Sequence, residues 1–183
     1  MKTSFDITKA AHVAHFFISQ AGSEIEILKL VKLIYLTDRL SLQKRKIPVV
    51  GGSFYSLPHG PVTSEVLDLI NDGTRSGDSP WEQLITDRAN HKVAISQRMD
   101  SYDALAPSEM RLLEEIWGTF GTRSKWDLVN WTHQHCEEWS DPKSGRYEIS
   151  ARKLAESFGW DAAEAEDFEA ELSAQFRLQE LVS

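Results

Sequence analysis

Between Leu28 and Leu36 the sequence leaves a helix almost no polar face. Leu28, Val31, Leu33, Ile34, Tyr35 and Leu36 occupy most of its circumference. A helix that is apolar nearly all round has to be buried, so the rest of the chain must be built around it. Ser23, followed three residues later by Glu26, has the spacing of a capping box and predicts that this helix opens near Glu24 and runs to about Gln43. The basic run Lys44-Arg45-Lys46 suits the negative end of its dipole. With 183 residues the chain is long enough to bury about 70% of its unfolded surface around such an axis.

Helix signals dominate the remainder. Asp6 is placed to cap a first helix with the apolar stripe Ala10, Val13, Ala14 and Phe17. Pro107 and Gly121 bracket a helix that turns Met110, Leu113, Ile116, Trp117 and Phe120 inward. Ser124 with Asp127 predicts another helix, through Leu128, Trp131 and His135. Ser150 caps a further one with Ile149 and Leu154 as its hydrophobic staple, and Asp161 with Glu164 opens a last helix carrying Phe168, Leu172 and Phe176.

Pro48 breaks the helical pattern, and Val49, Val50, Phe54 and Tyr55 around Gly51-Gly52 predict an extended segment over about 47–57, with 92–97 as its candidate partner. His59-Gly60-Pro61 follows. Proline favours the first position of a helix, and Val62, Val66, Leu69 and Ile70 form a stripe behind it, so the triplet reads as a tight strand-to-helix turn, with Asn71-Asp72-Gly73 ending that helix and a turn-rich 74–80 after it. The expected fold is mainly α: one multi-helix domain over 1–160 with a small β excursion, and an acidic amphipathic helix over 161–183 packed on it or extending it.

A net charge of −8 opposes binding of nucleic acid over the whole surface and fits a basic protein partner better. One cysteine, Cys136, allows no disulfide within the chain. The first residues make a poor secretory leader, and no stretch approaches the roughly 20 apolar residues of a membrane span. A cytoplasmic protein is expected. Phosphate-loop, dinucleotide and nucleophile-elbow signatures are absent. His133 with Cys136, and His12 with His15, share helix faces but lack the partners of a zinc motif. Cys136 lies beside Glu137 and Glu138, which oppose thiolate formation, so it reads as a packed residue. The acid pairs Glu114-Glu115 and Glu137-Glu138 read as solvated faces. No catalytic residue, metal site or cofactor is expected.

Two blocks carry a resemblance. Lys29-Leu30-Val31-Lys32-Leu33-Ile34-Tyr35-Leu36-Thr37-Asp38, then Gly60-Pro61-Val62 and Glu65-Val66, resembles the signature of the Panacea domain of SocA-like antitoxins. The stretch from Leu105 to Trp139, with Trp131, the pair Thr132-His133 and Trp139, is similar to the later helices of that family. The resemblance spans about 8–158. His59 stands where the family has an aromatic residue before Gly-Pro, and Glu138-Trp139 stands where it has Pro-Trp.

The resemblance implies a bacterial or phage antitoxin that binds a cognate toxin directly, is similar to members that deliver a toxin to a protease, and has no catalytic centre. Two rivals follow from the residues. A DNA-binding autoregulator would need an exposed, continuous basic face including Lys32, Arg39 and Lys44-Arg45-Lys46. A metal-dependent hydrolase would need the histidines to converge. The chain is also compatible with a homo-oligomer.

Within the motif, Tyr35 and Asp38 lie one turn apart. Asp38 is expected to accept from backbone donors or pair with a cation near the extended segment, with the Gly60-Pro61 helix start as one place for it. His133 and Trp139 are expected to form a polar-aromatic cluster beside the signature helix. On the last helix Glu164, Asp167 and Glu171 are candidates for docking a basic toxin, against the plainer reading of a solvated helix face.

Overall fold

The apolar helix is the axis of the structure. In the computed structural model, which describes residues 1–72 and 78–181, it spans Ile27–Arg45 (α2) and follows α1 (Ile7–Gln20) and a short strand β1 (Glu24–Glu26). Every residue from Leu30 to Asp38 is buried. After it come β2 (Phe54–Leu57), β3 (Gly60–Thr63), α3 (Ser64–Asp72), α4 (Pro80–Leu84) and β4 (Lys92–Ala94). Then α5 (Pro107–Phe120), α6 (Lys125–His135), β5 (Tyr147–Glu148), α7 (Ala151–Ser157) and α8 (Ala162–Glu180) complete the chain. The architecture is mainly α, with two small sheets. The helix end expected at Asn71-Asp72-Gly73 and the turn expected over 74–80 fall partly outside the described residues.

The local caps form as their spacing predicts. Asp6 accepts from Lys9 N at 2.9 Å at the start of α1. Ser124 and Asp127 make the reciprocal bonds that open α6, and Asp161 and Glu164 do the same for α8. Ser150 accepts from Lys153 N, with Ile149 and Leu154 both buried behind it. The same signal, Ser79 with Glu82 ahead of Pro80, opens α4, a helix that the composition of 74–80 hides.

Three expectations are corrected. First, Ser23-x-x-Glu26 does not cap α2. Ser23 has φ +86°, and Glu24, Ile25 and Glu26 pair antiparallel with Ala94, Val93 and Lys92. The first amide of α2, Ile27 N, donates to His91 O across this pair at 2.9 Å, while the Glu26 carboxylate takes Lys125 at 2.5 Å. The strand partner satisfies the donor that a cap would have served. Secondly, the 92–94 strand therefore belongs to β1, not to the 47–57 segment. β2 instead lies between β3 and β5, in the order β3-β2-β5.

Thirdly, His59-Gly60-Pro61 is not a helix start. Leu57 pairs with Gly60 and Ser56 with Pro61, so Pro58-His59 forms a two-residue hairpin turn and α3 begins only at Ser64. Gly60 has φ +96°, which glycine adopts without strain. Pro61 is tolerated because β3 is an edge strand and needs no donor on its outer side.

Candidate functional site

Lys32, Tyr35 and Arg39 of α2 point into one buried polar region beneath the β2–β3 hairpin and against the end of α6. Tyr35 donates its hydroxyl to Glu138 Oε1 at 2.6 Å. One turn further, Arg39 grips the same carboxylate with two bonds, Nε to Oε1 at 2.7 Å and Nη2 to Oε2 at 3.2 Å. The guanidinium also lies over the Phe158 ring, 5.1 Å from its centre.

Glu138 is 0% exposed, which overturns its reading as part of a solvated acid pair. Burial pushes its carboxyl up, but the Arg39 guanidinium and the Tyr35 hydroxyl outweigh that and hold it below the usual range. The same burial and the adjacent carboxylate push the Tyr35 phenol well above its ordinary value. Cys136, two residues before Glu138, is buried, and burial followed by the Glu138 charge drives its thiol up, away from a reactive thiolate.

Asp38 serves the backbone. Its Oδ1 accepts from Val49 N at 2.7 Å and Val50 N at 2.8 Å, and its Oδ2 from Gly51 N at 3.0 Å. The partners are the turn after Pro48, not Gly60-Pro61. Burial pushes the carboxyl up to about 7 against the opposing pull of the three amides. Glu65 does similar work from α3, accepting from Ser53 N at 2.7 Å and Ser53 Oγ at 2.9 Å.

Lys32 is 0% exposed, and its Nζ donates to Pro61 O at 2.7 Å, tying α2 to the hairpin. Gly60 leaves room for this contact: a Cβ there would lie 2.7 Å from Thr132 Oγ1 and 3.0 Å from Lys32 Nζ. Burial pushes the Lys32 amine down to about 7. Between that value and the ordinary 10.5, the unfolded chain holds a proton that the folded chain has lost, so stability rises with pH across the window. Scanning calorimetry of the protein and of Lys32→Met should show the melting temperature of the parent rising relative to the variant from about pH 7 to about pH 10.

The hairpin is held from its other side by the aromatic cluster. His133 and Trp139 stack at 3.9 Å, and Trp139 Nε1 donates to Leu57 O at 2.9 Å. Burial, then the nearby Lys32 charge, lowers the His133 imidazole, and its Nε2 has no hydrogen-bond partner among the described residues. Trp131 packs elsewhere, edge-on to Phe120 and stacked on His135. His59 stands at the hairpin tip against Trp126, 5.6 Å between ring centres. Lys29 reaches away from the network to Gly121 O at 2.6 Å. The structure thus joins Lys32, Tyr35, Arg39, Gly60, Pro61, His133 and Trp139 in one region, with Asp38 on the neighbouring side of α2, and leaves Lys29, His59, Glu65 and Trp131 outside it.

The residue that organises this region, Glu138, was missed by sequence reasoning. Its bonds to Tyr35 and Arg39 span 103 and 99 residues. The available signal was on α2: an arginine and a tyrosine four apart on a buried helix require an acceptor.

The basic face needed for DNA binding does not form. Lys32 is buried, Arg39 is bound to Glu138, Lys44 pairs with Glu115 at 2.6 Å, and Lys46 lies 3.9 Å from Glu171. The histidines do not converge either: His15 on α1 bonds Tyr102 and Gln97 O, whereas His133 on α6 stacks on Trp139. Among the described residues no group of three or more His, Cys, Asp or Glu side chains is placed to hold a metal ion. No helix among them is long and apolar enough to cross a membrane.

The chain is thus mainly helical and wrapped on one buried helix, whose lysine, tyrosine and arginine are met by a hairpin and a late carboxylate. The family described as antitoxin SocA-like, Panacea domain, matches residues 30–140, the span from α2 through the Glu138–Trp139 closure. The chain belongs to this antitoxin family. No curated protein and no solved structure matches it significantly.

Proposed function

We propose that the protein neutralises a cognate toxin by direct protein–protein binding, without a chemical step or cofactor, and that α8 with the groove beside it is the docking surface. The observation that supports this most is the meeting of charge and apolar surface along one helix. Phe168 and Leu172 are buried and anchor α8, while Glu164, Asp167 and Glu171 are exposed. Beside them lies a groove of about 670 Å³ between α8, the Thr3–Ile7 segment and the Ile47–Val50 turn. On its walls Ile47 and Leu178 are 45% and 64% exposed.

A basic toxin would be steered by the carboxylates and held by an apolar side chain in the groove. Residues 1–160 then act as the scaffold and the segment from 161 onward as the recognition appendage. Presentation of the bound toxin to a protease is a second use that the same surface would permit.

Reversing Glu164, Asp167 and Glu171 together to Lys is expected to slow association with the toxin about tenfold or more at low ionic strength. The difference shrinks as salt rises. Biolayer interferometry across a salt series measures both. Unchanged association by an intactly folded variant would move the partner surface elsewhere on the domain.

A further inference from the structure

A separate cleft of about 560 Å³ opens between the first turns of α2, the β2–β3 hairpin, α3 and Trp126. Its walls are largely apolar: Ile27, Leu28 and Val31 come from α2, and Leu57, Pro58 and Leu67 from the other elements. This size lies within the roughly 300–1,000 Å³ typical of small-ligand sites. Trp126, 52% exposed, sets a planar apolar surface at the rim.

The polar lining is unevenly charged. Lys32, Arg88 and Lys125 contribute to it, against the single carboxylate of Glu26. Lys125 is already paired with Glu26. Arg88 donates to the neutral amide oxygen of Asn71. Among the described residues no carboxylate forms an ion pair with Arg88 or with Lys32. Lys32 is fully buried and donates to Pro61 O, so the charge presented at the mouth of the cleft is that of Arg88. In a chain with a net charge of −8, the exposed guanidinium of Arg88 at the edge of an apolar cleft selects anions.

We propose that this cleft binds a small organic anion, an aromatic or branched aliphatic body carrying a carboxylate. The body replaces water against the apolar walls, and the carboxylate meets the guanidinium of Arg88, whose planar fork matches it. The site is independent of the toxin-docking surface on α8.

The test is a titration of the isotope-labelled full chain with phenylbutyrate, phenylbutanol and phenylbutylamine. It follows the indole N–H resonance of Trp126, assigned through Trp126→Phe. Phenylbutyrate is expected to shift that resonance saturably and to bind about tenfold more tightly than the alcohol, and the amine to bind least. Arg88→Ala abolishes the preference for the carboxylate and leaves alcohol binding unchanged. Leu67→Trp, which fills the cleft, abolishes both, and melting curves confirm that each variant is folded. Absence of a saturable shift with phenylbutyrate, or a carboxylate preference that survives Arg88→Ala, overturns the proposal.

Discussion

Glu138→Ala is expected to destabilise the folded chain by about 3–5 kcal/mol, because it removes one member of a buried ion pair and leaves the other uncompensated. The side chain of Arg39 is only 13% exposed and that of Glu138 not at all, so water cannot take the place of the lost carboxylate without opening the fold. The Tyr35 hydroxyl loses its acceptor in the same step. For a chain of this length, where each kcal/mol moves the midpoint by roughly 2–4 °C, the melting temperature should fall by about 10 °C. Glu138→Gln keeps an oxygen for one partner and should lose less. The combination Glu138→Leu with Arg39→Met removes both charges and should recover much of the loss, since the desolvation of the pair disappears along with its attraction. Calorimetry of the three variants checks the order. A melting temperature for Glu138→Ala within a degree or so of the parent would mean that the network contributes little to folding.

Asp38→Ala is the second large expected loss. It strands the amides of Val49, Val50 and Gly51, whose only side-chain acceptor among the described residues is the Asp38 carboxylate, in a buried turn. At about 1–3 kcal/mol for each buried donor left unpaired, the cost should be at least about 3 kcal/mol. Asp38→Asn retains an oxygen for Val49 and Val50 but turns an amide donor toward Gly51 N–H, and should cost about 1–3 kcal/mol. Urea denaturation measures both. The result also separates two roles for the family motif. A stability loss in proportion to the lost acceptors marks Asp38 as a support for the 49–51 turn. Unchanged stability with toxin binding lost would instead make it an interface residue.

That turn forms one edge of the groove beside α8, so the second experiment bears on the proposed docking surface as well. Ile47, 45% exposed, is presented on the same loop whose following amides Asp38 holds. A loosened turn would change the groove without touching a carboxylate of α8. Toxin association should therefore be measured on Asp38→Asn at a temperature well below its midpoint, where the fold is intact and the geometry of the groove is the variable.

The sequence by itself determined the longer helices, though not α4 or the start of α3, and the place of the central one. Caps such as Asp6, Ser124-Asp127, Ser150 and Asp161-Glu164 act within one turn, so residue spacing is enough to find them. The burial of Leu30 to Asp38 follows from apolar residues on all sides of one helix, which no single neighbouring surface could cover. The family signature was legible for the same reason: it is dense on α2, where its residues are close in sequence. The tertiary structure decided what depends on partners distant along the chain. Glu24–Glu26 became a strand because Lys92–Ala94 offered it backbone partners, although its local spacing suits a cap. Gly60-Pro61 became a hairpin arm because Ser56 and Leu57 lie opposite, although Pro alone suits a helix start equally well. Glu138 reads locally as half of a solvated acid pair, and only the approach of α2 to the end of α6 places it between Tyr35 and Arg39. A carboxylate is ionised in water and in that site alike; what differs is the set of donors around it, and those are supplied by a helix about a hundred residues away.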